Sequence, residues 1–374
     1  MIYLDNSATT LIKPDGVAKA MADAIGNAGR GAHKLALDSA RRIYNCREAL
    51  CDLFGATEPE NIIFTKNGTE ALNLAILGSI NKNAHVVCTS MDHNAVIRPL
   101  VESGVEFTVA KADSEGFVSS SALKEALRPT TNLVVLTHAS NVCGTLQNLS
   151  ELVSVAKMNG SDVLVDAAQS AGVVPISLSQ NDIDYLAFSG HKGLMGPQGT
   201  GVLIIGKEKR PTPLQFGGTG SASESISQPE FLPDRYESGT LNGCGIAGLS
   251  VAVEFIKKVG IEEISNKKTF LVNRLINGLL NIENIEFYGP LDAIKRADAV
   301  SFNIKNWDCN KLGTVLEEEC GIFGRSGLHC APLAHQTIGT FERGGSMRLS
   351  PSYFTTLTEI DGTLRCINHI AKRS

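Results

Sequence analysis

The residues with the greatest chemical capacity in this chain fall just behind short apolar runs. Lys66-Asn67-Gly68-Thr69 follows NIIFT, and Asp92-His93 comes shortly after HVVCTS. Ser140-Asn141 follows NLVVLTH, Asp166 and Gln169 follow VLV, and Ser189-Gly190-His191-Lys192 follows YLAF. Asn67-Gly68-Thr69 at a helix start offers free backbone N–H groups, a hydroxyl and the positive end of a helix dipole, which suit a phosphate. The same residues also read as an ordinary cap, with Thr69 capping and Glu70 in the first turn. Asp166 ends a buried apolar strand, so its carboxylate needs a cation or hydrogen-bond donors, which local backbone N–H groups could also provide. Lys192 sits in the loop SGHKGLMGPQGTG. Most lysines are solvated surface charges, but near apolar strand ends an amine loses its proton more readily and becomes the neutral nucleophile that Schiff-base chemistry requires.

Each signal alone has a bland reading. A phosphate cradle, a carboxylate for a pyridinium nitrogen, a histidine able to stack flat and a reactive lysine together describe a site for pyridoxal 5'-phosphate. The elements that must position them follow from periodicity. From about residue 60 to 205, apolar runs alternate with amphipathic stretches such as TEALNLAILGSI and LSELVSVAKMNG. That is the pattern of an α/β core built on a mostly parallel sheet covered on both faces, in which ligands bind beyond the carboxyl ends of the strands. Residues 206–245 break the rhythm with Pro, Gly and Ser, a long loop of the kind kept for function or for contact with a partner. Beyond about 246 the pattern predicts helices, separated strands and a final helix near 357–371, hence a smaller α+β domain.

A length of 374 residues leaves room for two such domains. With 43% hydrophobic and 20% charged residues, disorder is excluded. A net charge of −5 without a long basic run argues against a nucleic-acid or anionic-membrane partner. The nine cysteines include no C-x-x-C pair, and the N-terminus has no leader-like apolar run, so a cytoplasmic protein without a metal site is expected.

On Tyr3-Leu-Asp-Asn-Ser-Ala-Thr-Thr10, Asn67-Gly-Thr-Glu-Ala-Leu-Asn73, Asp92-His93-Asn94, Ser140-Asn-Val-Cys-Gly-Thr145, Val165-Asp-Ala-Ala-Gln169, Ser189-Gly-His-Lys192, Glu237-Ser-Gly-Thr240, Arg325-Ser-Gly-Leu-His-Cys330 and Ser346-Met-Arg-Leu349, the chain resembles the class V branch of the fold-type I pyridoxal-phosphate enzymes. Within it the likeness is to cysteine desulfurases and selenocysteine lyases of group II, and it covers essentially the whole chain. The resemblance implies a large domain with a seven-stranded, mostly parallel sheet over 13–250, and a small domain from 1–12 and 251–374. It implies Lys192 as the Schiff-base lysine, Asp166 at the pyridine nitrogen, Gln169 at the phenolic oxygen and His93 on the ring face. Gly68, Thr69, Ser189 and His191 would hold the phosphate, with Thr240 offered from the neighbouring subunit of a homodimer. Asn141, on the cofactor side, and Arg348 match the positions that hold the substrate carboxylate, with Ala8, His33 and Arg325 also near the substrate. Cys330 would be the nucleophile that takes sulfur from L-cysteine, or selenium from L-selenocysteine, and passes it to an acceptor protein. A class V transaminase would not need that thiol. His329 and His33 are expected as candidates for local proton handling, and the other eight cysteines as small buried hydrophobes. Leu328 in place of a second histidine, and the continuation Ala331-Pro-Leu-Ala-His335, depart from the group II pattern.

Overall fold

The computed structural model describes residues 1–26, 31–81 and 83–373. Its strands are β1 (Ile2–Tyr3), β2 (Ile62–Thr65), β3 (His85–Thr89), β4 (Glu106–Ala110), β5 (Thr131–Thr137), β6 (Asp162–Asp166), β7 (Tyr185–Ser189), β8 (Gly201–Ile205), β9 (Ile285–Tyr288), β10 (Val300–Ile304), β11 (Ile322–Phe323) and β12 (Met347–Leu349). Strands β2 to β8 form one seven-stranded sheet in the order β2-β8-β7-β6-β5-β3-β4. All neighbours are parallel except those of β8, which runs against both β7 and β2.

The sheet is buried on both faces, which is why its strands read as continuous apolar runs. Ile62, Phe64, Val134, Leu136, Val163 and Val165 point into one core, and Ile63, Leu133, Val135 and Leu164 into the other. At roughly 1.5–3 kcal/mol per fully buried aliphatic side chain, this alternation dictates strand register: a slip by one residue would exchange the two faces. Strand β4 has no counterpart among the apolar runs of the sequence, because it is an edge strand whose Glu106 is exposed.

Because β8 is reversed, its first residue Gly201 lies opposite both Thr65 and Ser189, at the edge where β2, β3, β5, β6 and β7 end. A Cβ on Gly201 would stand 2.3 Å from the Asn67 carbonyl carbon. Glycine there lets the helix Gly68–Ser79 start directly on the sheet edge.

The C-terminal part has its own core around a β12-β10-β9 antiparallel sheet, packed by the helices Ile261–Leu280, Cys309–Cys320 and Leu357–Ala371. Strand β1 pairs with β11, and Leu4 joins this core. The chain then crosses to the large sheet, where Thr10 N donates to the His191 carbonyl at 3.1 Å. Large-core contacts continue through Ile256 and Ile264, and small-core contacts begin at Leu271. We propose a domain boundary within that interval, later than residue 250. Residues 206–242 contain no helix or strand, and their end is fastened to β2 by the buried Glu237. Its carboxylate pairs with Arg47 at 2.5 Å and accepts from Phe64 N at 2.7 Å.

The expectation for the cysteines needs correction. Cys320 and Cys366 are half-buried and joined as a disulfide between two helices of the small domain, and Cys244 is also half-buried. Burial of the remaining five apart from Cys330 follows the expectation. Among the described residues no helix is long and apolar enough to cross a membrane.

Candidate active site

Gly68, Thr69, His93, Asn141, Asp166, Gln169, Ser189 and Lys192 line one cavity at the strand-end edge, with Thr137, Ala139 and Ala168 between them. At the helix start, Asn67 rather than Thr69 is the cap: its side chain accepts from Glu70 N at 2.8 Å. Thr69 is therefore a first-turn residue and stays exposed. Gly68 N donates to Ser189 Oγ at 3.1 Å, and a Cβ on Gly68 would sit 2.8 Å from that oxygen. His191, between Ser189 and Lys192 in the chain, is not among the residues lining the cavity; its Nδ1 is buried with no hydrogen-bond partner, and burial with Lys192 nearby holds its imidazole neutral, near pKa 4. A glycine cradle, a hydroxyl and a helix N-terminus at the cavity fit a phosphate.

Asp166 is buried at the end of β6 and accepts from Ala168 N at 2.9 Å. Burial pushes its carboxyl up, while Ala168 N–H and Lys192 pull it down. Burial pushes the Lys192 amine down, with Asp166 acting against it. An amine whose hold on its proton burial weakens, lining the same cavity as a buried carboxylate, fits an aldehyde with a protonatable ring nitrogen. His93 caps the helix Asn94–Ser103 through Nδ1, which accepts from Ala95 N at 3.0 Å. Burial and the neighbouring Lys192 bring it down to about 4, so it presents a neutral, flat face. Beside it, burial raises Asp92 to about 7 although Thr137 and Thr89 donate to its carboxylate. Gln169 Nε2 donates to the Ser7 carbonyl at 3.1 Å, tying the N-terminal segment to the cavity floor.

Arg348 is almost fully buried, and its charge is already partnered: Nη2 pairs with Asp5 Oδ1 at 2.8 Å and Nη1 donates to the Asn141 carbonyl at 2.7 Å. Its Nε is buried without a hydrogen-bond partner, the one donor of the fork that remains to be satisfied. Asn141 Nδ2 donates to the His329 carbonyl at 2.6 Å, so substrate-side and cysteine-side residues are in direct contact.

Cys330 is exposed in an adjoining groove whose walls Thr69, His93 and Ala95 also line the cavity. Its carbonyl accepts from Asn94 N at 2.8 Å. Both ring nitrogens of His329 are engaged, with Arg325 O at 3.3 Å and His335 Nε2 at 3.2 Å. Neither is left for the Cys330 thiol, which corrects the expectation of local proton handling.

Other sequence candidates are not brought into this cavity. His33 is exposed and caps the helix Lys34–Phe54, with Nδ1 accepting from Ala36 N at 3.4 Å. Thr240 is exposed in a separate groove with Lys66 and Leu214. The Arg325 side chain is exposed while its backbone pairs with Arg348, and Ala8 lies half-buried between Ser7 and Thr9. Asp5, Ser7 and Thr137 escaped sequence reasoning about the site. Asp5 and Ser7 lie within the YLDNSATT motif, but no local pattern marks them as partners of Arg348 and Gln169.

A family model described as aminotransferase class-V matches residues 2–362. A protein of Methanothermobacter thermautotrophicus named probable cysteine desulfurase is 36% identical, the alignment covering 96% of this chain and 92% of that one. The cysteine desulfurase of Haloferax volcanii is 30% identical over 98% of this chain and 89% of its own length. Among solved structures, an apo cysteine desulfurase from Thermococcus onnurineus superposes with a TM-score of 0.92 at 31% identity, covering 100% of this chain and 95% of that chain.

Proposed function

The chain belongs to the class-V aminotransferase family, and from that premise we propose that it is a pyridoxal-phosphate-dependent cysteine desulfurase, converting L-cysteine to L-alanine with a persulfide on Cys330. The observation that carries this reading is the exposed Cys330 in a groove sharing His93 and Thr69 with the cavity that holds Lys192 and Asp166.

When bound, pyridoxal phosphate supplies an aldehyde carbonyl and an electron-withdrawing ring that together acidify the α-carbon of an amino acid. Gly68, Thr69, Ser189 and His191 would hold its phosphate, Asp166 its ring nitrogen, Gln169 its phenolic oxygen, and His93 would cover one ring face. The Lys192 amine, whose hold on a proton burial weakens, takes the proton from the substrate α-carbon and returns it. Arg348 Nε and the Asn141 amide orient the substrate carboxylate. Cys330 Sγ, as thiolate, attacks the substrate sulfur; a sulfur–sulfur bond forms as the carbon–sulfur bond breaks. The electron pair of the broken bond stays with the β-carbon, which takes a proton and becomes the methyl of alanine. The second sulfur remains on Cys330 for an acceptor thiol.

We propose further that two copies complete each site. Support comes from Thr240, exposed and outside the cavity of its own chain, and from the apolar side chains Leu11, Ile12, Leu35, Leu37, Phe216 and Ile226, all left in solvent on the single chain. Sedimentation of the holoenzyme as a monomer would remove this part.

The enzymatic reading is tested with Cys330→Ser and Lys192→Ala. The first should keep the cofactor absorbance near the visible edge and lose alanine formation from L-cysteine; the second should lose both. Undiminished alanine formation by Cys330→Ser sinks the reading. Running L-selenocysteine beside L-cysteine in both proteins decides which chalcogen depends on the thiol.

A further inference from the structure

His329 and Cys330 are consecutive non-glycine residues in the left-handed region, at φ 49° and 56°. L-residues avoid that region because Cβ crowds the backbone, and such conformations persist only where their surroundings over-determine them. The carbonyls of this turn are held by Asn141 and Asn94, and Ala331 N donates to Leu328 O at 2.9 Å. The His329 ring is held by a second set of bonds.

Arg325 contributes only a carbonyl oxygen, so His329 Nε2 must carry the hydrogen in the bond between them. Neutral His329 then has a lone pair on Nδ1, which accepts from His335 Nε2–H at 3.2 Å. His335 Nδ1 in turn accepts from the Thr340 hydroxyl at 2.6 Å. The tautomers of both rings follow by elimination. Burial and Arg348 push both imidazoles well down, His335 to about 4, so neither carries a second proton at neutral pH. His335 and Thr340 have no exposed surface, and their backbones also join, Thr340 N donating to His335 O at 2.8 Å.

We propose that His335 is a positioning residue: through His329 it holds Cys330 in the left-handed turn that presents the thiol to the substrate sulfur. The inference rests on Cys330 being the sulfur acceptor. His335 lines neither the cavity nor the groove; its backbone N also donates to the Ala331 carbonyl at 3.2 Å, but its side chain reaches the turn through His329.

The test uses holoenzyme carrying His335→Leu, which keeps bulk but removes the donor, and His335→Gln, whose amide N–H can still reach His329 Nδ1. Thr340→Val removes only the hydroxyl that sets the His335 tautomer. Two readouts are taken: alanine formation from L-cysteine, and the rate at which iodoacetamide alkylates Cys330, followed on its peptide by mass spectrometry. Misplacing a reacting atom by an ångström costs up to about 100-fold, so His335→Leu should lower kcat by roughly tenfold or more with KM and cofactor absorbance nearly unchanged. Alkylation should become faster as the turn relaxes. His335→Gln should recover most of kcat, and Thr340→Val should show a smaller loss in the same direction. Wild-type kinetics and alkylation in His335→Leu, or no recovery in His335→Gln, overturn the proposal. If His335→Leu does not fold, Thr340→Val decides: wild-type behaviour there overturns it. If the wild-type holoenzyme does not turn over cysteine, the desulfurase reading fails by itself, and the alkylation rates still judge the positioning.

Discussion

Gly68→Ala places one methyl group where the proposed phosphate cradle closes. The added Cβ would lie 2.8 Å from Ser189 Oγ and 3.4 Å from the Phe188 carbonyl carbon and Ser189 N. The backbone of β7 is buried in the sheet and cannot retreat, so the Ser189 side chain must rotate, breaking its 3.1 Å bond with Gly68 N. That removes a hydroxyl and misaligns an N–H, both aimed at the phosphate. Loss of one hydrogen bond to a charged group costs about 1.5–3 kcal/mol, so the Kd for pyridoxal phosphate should rise roughly 10- to 150-fold. Stability of the cofactor-free protein should hardly fall, since alanine is favoured over glycine in a helix by about 1 kcal/mol, which offsets part of the strain. The assay is an absorbance titration of cofactor-free protein with pyridoxal phosphate and, separately, with pyridoxal. The variant should lose affinity for the first and keep it for the second, because the cradle faces only the phosphate. Unchanged affinity for pyridoxal phosphate, or equal loss for both, would refute the assignment of Gly68 and Ser189.

Three further outcomes are expected. Asp5→Asn keeps an oxygen acceptor for Arg348 Nη2 but removes the carboxylate that competes for its charge; two carboxylates roughly 7 Å apart on one guanidinium repel by about 2 kcal/mol at an effective dielectric near 20, so KM for L-cysteine should fall by about tenfold or more. A KM that stays put means the substrate carboxylate does not meet Arg348. His138 is buried with an orphaned Nδ1, and burial brings it from 6.5 to about 3; the unfolded chain therefore takes up a proton at higher pH than the folded one, and the stability tied to its neutrality is present above pH 6.5 and lost as pH falls toward 3. Relative to wild type, His138→Leu should gain about 1.4 kcal/mol between pH 7.5 and 5.5 in urea denaturation, and an equal pH slope in both proteins would contradict this. Gly345→Ala would set a Cβ 2.1 Å from the Gly327 carbonyl oxygen at a φ of 112°; it should displace the segment leading to Cys330 and lower alanine formation by about tenfold or more, and wild-type alanine formation would contradict this.

Much of the molecule was legible from sequence, because the information was local. The apolar runs behind β2, β3, β5, β6, β7 and β8 are continuous because both sheet faces are buried, and the chemistry-bearing residues stand directly behind them. Residue types alone were informative there, with a lysine at an apolar strand end, a carboxylate that must find a cation and a glycine opening a helix. What escaped depends on segments distant in the chain. Reversal of β8 is invisible in its composition, since a buried strand reads alike in either direction. Asn67 rather than Thr69 is the cap because the cap residue needs extended backbone, which Asn67 has at φ −170° and ψ 172°. The Asp5–Arg348 pair spans 343 positions and the bond from Asn141 to His329 spans 188, distances over which no periodicity carries. His33 and Thr240 looked like site residues by motif, yet one chain leaves them outside the cavity. Residue type decides what chemistry a side chain can perform and is written in the sequence; which neighbours remain to satisfy its charge and hydrogen bonds is settled only when burial excludes water, and that belongs to the tertiary structure.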